Sequence, residues 1–194
     1  TDSLLISYKG KLIFESYYRR GRQNYPHYQM SITKSYTALA LGRAIQLGHF
    51  KMEDLNQPII QFLKKTNPAK MAKGTDQITL DQAMTMRSGI RLPQEKIQQL
   101  VASPPNSEDK GKSKPIFSQQ TYPPAPRTFK YQASDPAITM QVLDAVVPGS
   151  AKAFIKNEFL GKMGITSYHW QDDISGLPKS AAGSSFRSRD MIKI

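Results

Sequence analysis

The stretch that decides the fold runs from Gln29 to Gly48 and reads QMSITKSYTALALGRAIQLG. Its apolar residues recur at the spacing of one helical face, and Gly48 is a residue type that commonly ends a helix. The sequence therefore predicts a buried helix from about residue 32 to residue 47. Ser31 stands at the start of this helix, and Lys34 follows it three positions later.

Ser31 and Lys34 are a candidate nucleophile and base. A serine hydroxyl is a weak nucleophile until a base removes its proton. A lysine three residues along a helix lies one turn away on the same face, so its amine can reach the hydroxyl. The amine acts as a base when burial or neighbouring positive charge keeps it neutral, and the helix N-terminus favours a developing oxyanion. The pair predicts acyl transfer, and the competing interpretation is that Ser31 only caps the helix.

The same spacing occurs a second time, at Ser107 and Lys110. This second copy lies in a segment rich in Pro, Ser, Lys and Gln, with Glu108 and Asp109 between the two residues. Its lysine is expected to be solvated and protonated, so it could not act as a base. The helical context, and not the spacing, therefore distinguishes Ser31.

The rest of the chain predicts a hairpin followed mainly by helices. Residues 3–8 and 11–18 are rich in strand-forming residues, and Lys9-Gly10 joins them as a two-residue turn. Helical spacing returns at residues 79–89, 138–146 and 151–160, and no further strand is evident in the pattern.

A sheet of two strands is marginally stable by itself. The chain starts within a strand pattern and stops at Ile194 without a polar tail. We therefore expect it to be part of a longer protein that supplies further strands.

The composition excludes several kinds of site. The 194 residues include no Cys, so a thiol nucleophile, a disulfide and a thiolate metal site are excluded. The three histidines, His27, His49 and His169, form no ligand-spaced pair, so neither a metal nor another cofactor is expected. The 27 Lys and Arg against 15 Asp and Glu give a net charge of +12, but they are scattered along the chain. No nucleic-acid partner is expected, while association with cell-wall polymers or an anionic membrane surface stays open.

Four passages of the chain are similar, in order and spacing, to motifs of a known superfamily. Residues 29–37 resemble its S-x-x-K segment, and residues 78–89 (ITLDQAMTMRSG) resemble a segment that usually ends in His-Thr-Ser-Gly. Residues 126–131 (PRTFKY) resemble a Pro-Gly-x-x-x-Tyr motif, and residues 161–165 (GKMGI) a Pro-Leu-Gly-Met motif. With the hairpin and residues 182–190, they resemble the serine β-lactamase and penicillin-binding-protein superfamily, in particular its class C β-lactamase and esterase branch.

The resemblance implies an α/β fold of the α+β type, β-lactamase/transpeptidase-like, with an antiparallel sheet packed on helices beside a mostly helical lobe. Residues 1–30 would be the hairpin and a connecting loop. Residues 31–160 would be the helical lobe, including a long loop at about 93–126 that borders the cleft. Residues 161–194 would return toward the sheet, whose closing strands lie outside this chain.

The resemblance also implies that Tyr131 is a second catalytic group. A phenol held beside a cationic lysine has a lowered pKa, which makes it a usable base. The competing interpretation is that Tyr131 is a half-buried core aromatic. The implied function is a serine hydrolase that forms an acyl-enzyme on Ser31, with Lys34 and Tyr131 moving protons. Its substrate would be a small ester, an amide, a D-amino-acid peptide or a β-lactam, and its location periplasmic or secreted, with the cytoplasm as an alternative.

The sequence departs from the superfamily pattern at two points. Ala133 stands where the motif has an Asn that orients substrate, and Gln132 or Ser134 would have to replace that amide. The strand carrying Lys-Thr-Gly or His-x-Gly, which supplies an oxyanion-hole N–H, is not in the chain. These departures support an alternative function, a catalytically inactive penicillin-binding-like binding or regulatory protein.

Overall fold

The fold combines two antiparallel sheets with a set of helices, which confirms the α+β class. The computed structural model of the protein describes residues 2–63, 66, 69, 71–92, 95, 124–173 and 175–194. Most of the loop predicted at about 93–126, including Ser107 and Lys110, lies outside these described residues. No helix among the described residues combines the length and the apolar character that crossing a bilayer requires.

The first sheet is the hairpin formed by β1 (Ser3–Tyr8) and β2 (Lys11–Tyr17). Its turn residues Lys9 and Gly10 have φ angles of 49° and 74°. A two-residue turn with both angles positive follows the twist of paired strands, and glycine adopts such an angle without steric cost. The predicted hairpin is therefore present, with its second strand ending at Tyr17.

The hairpin is attached to a short helix near the C-terminus, α5 (Ser188–Met191). Ser3 Oγ and Ser188 Oγ lie 2.8 Å apart and share a hydrogen bond. Arg189 donates from Nε to Glu15 at 2.7 Å and from Nη2 to the other oxygen of the same carboxylate. These hydrogen bonds and this ion pair join segments that are 174 or more positions apart in the sequence.

The second sheet contains three short strands in the order β3-β5-β4. They are β3 (Pro26–Tyr28), β4 (His169–Trp170) and β5 (Ser184–Arg187), and both pairings are antiparallel. The expectation of no strand after the hairpin was therefore wrong. Strands of two to four residues are too short to show an alternating pattern, and their partners are distant in sequence.

The central helix, α1, spans Thr33–Gln46 and follows a 3-10 turn at Met30–Ile32. Its bounds agree with the predicted 32–47 to within one residue at each end. Gly48, with a φ of 78°, follows its C-terminal end. The face of α1 that packs into the core includes Tyr36, Ala40, Leu41 and Ala44.

Three other helices complete the helical part. A capping box formed by Thr79 and Gln82 starts α2 (Leu80–Met84), which is shorter than the predicted helix at 79–89. The longest of the three is α3 (Ser134–Val146), which begins four residues before the predicted one. A last helix, α4 (Ala151–Phe154), continues directly into a π-helical segment at residues 155–160.

The core lies between α1, α3 and the second sheet. Ring contacts connect α1 to the sheet, since the Tyr36 and Phe186 ring centroids are 5.0 Å apart in an edge-to-face arrangement. Trp170 adds a second edge-to-face contact with Phe186 at 6.2 Å. The fully buried side chains of this core with the largest volumes are Phe186, Leu41, Ile59, Ile78, Leu80, Ile90, Ile138, Met140, Leu143, Leu160 and Ile165. The packing fixes the first turn of α1 against β5.

Candidate active site

The three residues predicted to carry the chemistry lie together at the start of α1. Lys34 Nζ donates a hydrogen bond to Ser31 Oγ at 3.0 Å. The Tyr131 hydroxyl donates to the same Ser31 oxygen at 2.6 Å, across a sequence separation of 100 residues. Lys34 Nζ also lies 4.9 Å from the centroid of the Tyr131 ring. One serine hydroxyl is therefore in contact with both groups that could accept its proton.

The side chain of Ser31 does not cap α1. Ile32 occupies the N-cap position, and no side-chain cap bond is made there. Ser31 lies instead in the middle of the 3-10 turn, where its hydroxyl is exposed and bonds to Lys34 and Tyr131. The capping interpretation of Ser31 is therefore wrong.

The residues before Ser31 hold its turn in place. Gln29 is 4% exposed, and its backbone N–H donates to Ser184 O at 2.8 Å. Its side-chain amide donates to His27 O at 2.6 Å and accepts from the Tyr36 hydroxyl at 3.3 Å. Between the anchored Gln29 and Ser31, Met30 adopts a φ of 46°, which is unfavourable for a residue with a side chain. The surrounding hydrogen bonds maintain this strained turn, which presents Ser31 to solvent.

The Lys34 amine has a second partner that the sequence did not predict. It donates to the backbone carbonyl of Ala181 at 2.6 Å, on the segment that leads into β5. The same segment bonds the first turn of α1 through Thr33 Oγ1 and Ser184 Oγ, which are 2.8 Å apart. Sequence analysis had no signal for Ala181, because a backbone carbonyl acts independently of the residue type.

Tyr131 is exposed, which excludes the interpretation that it is a core aromatic. Its side chain is 59% exposed. Its contacts with Ser31 and with the Lys34 amine hold the pKa of the phenol below its usual value of 10.0. The Ser31 hydroxyl can donate to the phenolate form, and the positive charge of Lys34 attracts it. The phenol is thus set up to exchange a proton with the other two residues.

The segment around Tyr131 does not provide the amide that the motif would have there. Ala133 is exposed and precedes the first residue of α3. The amide of Gln132 donates to Asp135 Oδ1 at 2.7 Å and accepts from Arg91 Nη1 at 3.1 Å. The Ser134 hydroxyl also donates to Asp135, at 3.3 Å. The two side chains that could replace the missing amide are therefore engaged elsewhere.

The described residues contain no group of three or more His, Asp or Glu side chains that could hold a metal ion. The chemistry that this arrangement supports is proton transfer around a serine oxygen. A hydroxyl, an amine and a phenol in mutual contact can pass one proton among themselves as the serine oxygen gains or loses a bond.

One known family matches nearly the whole chain in sequence. The sequence profile of the family described as Beta-lactamase matches residues 1–191. No curated protein matches the chain in sequence.

Three solved structures illustrate the fold. A D-stereospecific amidohydrolase from Streptomyces sp. is 19% identical with a TM-score of 0.61, over 92% of this chain and 62% of that one. A penicillin-binding protein homologue from Pyrococcus abyssi is 18% identical with a TM-score of 0.67, over 98% of this chain and 50% of that one. A class C beta-lactamase is 14% identical with a TM-score of 0.68, over 98% of this chain and 57% of that one.

The chain spans 50–62% of the length of these three solved relatives. At such low identities the likeness supports the fold, while the sequence profile covers nearly the whole chain. The chain belongs to the Beta-lactamase family.

Proposed function

We propose that this chain carries the nucleophile of a serine hydrolase that forms an acyl-enzyme on Ser31. The observation that supports the proposal is the pair of hydrogen bonds on Ser31 Oγ, from Lys34 Nζ at 3.0 Å and from the Tyr131 hydroxyl at 2.6 Å. Two groups able to take the serine proton on one exposed hydroxyl are what nucleophilic catalysis by serine needs.

The proposed reaction proceeds in two halves. Ser31 Oγ bonds to the carbonyl carbon of the substrate, and its proton passes to Lys34 or Tyr131. The bond from that carbon to the leaving group then breaks, and the leaving group takes a proton from the Tyr131 hydroxyl. In the second half, water bonds to the acyl carbon and the bond from that carbon to Ser31 Oγ breaks. The proton that water loses passes through the same groups to Ser31 Oγ, which restores the free hydroxyl.

The proposed substrates are a small ester, an amide, a D-amino-acid peptide or a β-lactam. The family membership and the fold shared with an amidohydrolase and a class C beta-lactamase support this range. Ala133 favours the first three over the β-lactam, because no side-chain amide stands at this position to orient the substrate. The absence of this amide also favours the second candidate function, a binding or regulatory protein that keeps the fold but does not convert a substrate.

A fluorophosphonate probe tests the proposal without knowledge of the substrate. We expect the intact protein to gain the mass of one phosphonyl group, on the peptide that contains Ser31. Ser31→Ala should abolish the gain, and Lys34→Met and Tyr131→Phe should each slow it by about 100-fold, a magnitude typical of removing a general base.

Ser35→Ala is the matched control, because Ser35 is a second exposed serine, four residues after Ser31 and in the first turn of α1. It should be labelled at the wild-type rate. The proposed enzymatic function would be contradicted if the wild-type protein gained no mass under conditions that label a known serine hydrolase. That result would favour the alternative function, a binding or regulatory protein.

A further inference from the structure

A buried carboxyl group, that of Asp135, follows Tyr131 by four residues and belongs to the first turn of α3. Asp135 is 0% exposed, and its Oδ1 accepts hydrogen bonds from Ser88 Oγ and Gln132 Nε2, each at 2.7 Å. Ser134 Oγ donates to the same oxygen at 3.3 Å. Among the described residues, Oδ2 is buried without a hydrogen-bond partner. Burying a carboxyl group costs desolvation free energy, so a residue kept in this position is expected to have a structural or functional role.

Burial has the largest effect on the pKa of the Asp135 carboxyl group. It raises the pKa of Asp135 above its usual value, although the hydrogen bonds from Ser88, Gln132 and Ser134 act in the opposite direction. Burial thus shifts this carboxyl group toward its neutral form relative to an exposed aspartate. A neutral carboxyl group retains Oδ1 as an acceptor, so its link to Ser88 and Gln132 does not depend on the charge.

The residues on both sides of Tyr131 are tied to one segment, the turn after α2. On one side, Lys130 N–H donates to Met86 O at 3.0 Å. On the other side, Gln132 bonds to Asp135, which in turn accepts from Ser88. The turn itself is well fixed, because Ser88 is 0% exposed and its Oγ also accepts from Ile90 N–H at 3.1 Å.

The side chain of Tyr131 has little packing of its own to hold it. It is 59% exposed, and it belongs to a segment without regular secondary structure. The 2.6 Å contact between its hydroxyl and Ser31 therefore depends on how its backbone is held. A displacement of about 1 Å at a reacting group can lower a rate by about 100-fold.

We infer that Asp135 is a positioning residue that holds Tyr131 against Ser31, by bonding Gln132 on one side and Ser88 on the other. Asp135 has no contact with Ser31 and does not take part in the chemistry. This inference rests on the proposed function of Ser31, Lys34 and Tyr131.

The test combines two measurements on the intact chain and its variants. The first is the rate of fluorophosphonate labelling of Ser31. The second is the titration of the Tyr131 phenol, obtained as the ultraviolet difference between each variant and the same variant carrying Tyr131→Phe. The second readout needs no reaction, so it separates the positioning of Tyr131 from the activity of Ser31.

We expect Asp135→Ala to slow labelling by at least about tenfold and to move the Tyr131 titration to higher pH. Asp135→Asn keeps an acceptor at Oδ1 and should stay within about threefold of the wild-type rate. Gln132→Ala removes the link beside Tyr131, together with the hydrogen bond from Arg91, and keeps the bond between Asp135 and Ser88. It should therefore reproduce the effect of Asp135→Ala. It serves as the second variant should Asp135→Ala fail to fold.

Thr139→Val is the matched control, because Thr139 is a buried polar residue one turn further along α3 whose hydroxyl donates to the backbone carbonyl of Asp135 and not to its carboxyl group. It should leave labelling and titration unchanged. In the Tyr131→Phe background, Gln132→Ala should slow labelling no further, since the residue acts through the phenol.

Two results would overturn the inference. One is an equal loss of labelling rate for Gln132→Ala with and without the Tyr131 hydroxyl, which would indicate general destabilisation. The other is an unshifted Tyr131 titration in folded Asp135→Ala and Gln132→Ala. Absence of wild-type labelling together with a titration that shifts as expected would refute the proposed function and support the positioning role.

Discussion

Replacing Thr33 by Val removes a buried hydroxyl that joins the start of α1 to β5. Thr33 and Ser184 are both 0% exposed, and their side-chain oxygens are 2.8 Å apart. Thr33 Oγ1 also accepts from Ser184 N–H at 3.3 Å. Val has nearly the shape of Thr, so the substitution leaves no sizeable cavity and changes mainly these two hydrogen bonds.

The loss in stability follows from the groups left without partners. Ser184 N–H and Ser184 Oγ would both remain buried, and each unsatisfied buried group costs about 1–3 kcal/mol. The serine hydroxyl can rotate toward another acceptor, whereas the backbone N–H cannot, so we expect a total of about 2–4 kcal/mol. At about 2–4 °C per kcal/mol for a chain of this size, the melting temperature should fall by roughly 4–16 °C.

Urea unfolding followed by circular dichroism measures this loss directly. The matched control is Thr85→Val, which also removes a hydrogen-bonded threonine hydroxyl, here one that donates to the Asp81 backbone carbonyl at an exposed site. It should change the free energy of unfolding by less than about 0.5 kcal/mol. Ser184→Ala should be less harmful in the Thr33→Val protein than in the wild type, because the two side chains share one bond.

A Thr33→Val protein that loses less than about 1 kcal/mol would refute the reasoning. It would mean that the Ser184 backbone N–H finds another partner, and that the contact between Thr33 and Ser184 does not hold the first turn of α1 in place.

Two further predictions concern pH. The hydrogen bond with Ser31 and, after it, the Lys34 amine lower the pKa of Tyr131. Lys34→Met should therefore shift the ultraviolet titration of Tyr131 part of the way up toward 10.0, and an unchanged titration would contradict the contact with Lys34. The ion pair with Arg189 and a hydrogen bond from Tyr17 lower the pKa of Glu15 from 4.5 to about 2. A carboxylate with a lowered folded-state pKa stabilises the fold above its unfolded-state pKa, and this contribution disappears as the pH falls through the folded-state value. Melting temperatures of the wild type should therefore exceed those of Glu15→Gln above pH 4.5 and converge with them as the pH falls toward about 2, whereas parallel profiles would exclude this linkage.

The local parts of the fold could be predicted from the sequence. The hairpin depends on a two-residue turn between adjacent strands, and α1 depends on a periodic pattern within one segment. The contact between Ser31 and Lys34 belongs to the same class, because the two residues are three positions apart at the start of one helix. Such features need only neighbouring residues, which is why a pattern along the chain can indicate them.

The second sheet could not be predicted in this way. Its strands have two to four residues, and β5 pairs with strands that come from both ends of the described chain. The interactions that form it are hydrogen bonds between distant backbones, together with the burial of Trp170 and Phe186. Neither leaves a periodic signal in so short a segment.

The residues of the candidate active site also separate into those that a local pattern predicts and those that distant parts of the chain supply. The sequence by itself determined the helix, the candidate nucleophile Ser31 and the adjacent Lys34, because their geometry follows from the helical repeat. Residues 100 or more positions away supply the Tyr131 phenol, which the sequence indicated only through a family resemblance, and the Ala181 carbonyl. The buried Asp135 bonds Gln132, the residue next to Tyr131. Only the tertiary structure decided these contacts, because no local rule specifies which distant groups the packed core brings to the start of α1.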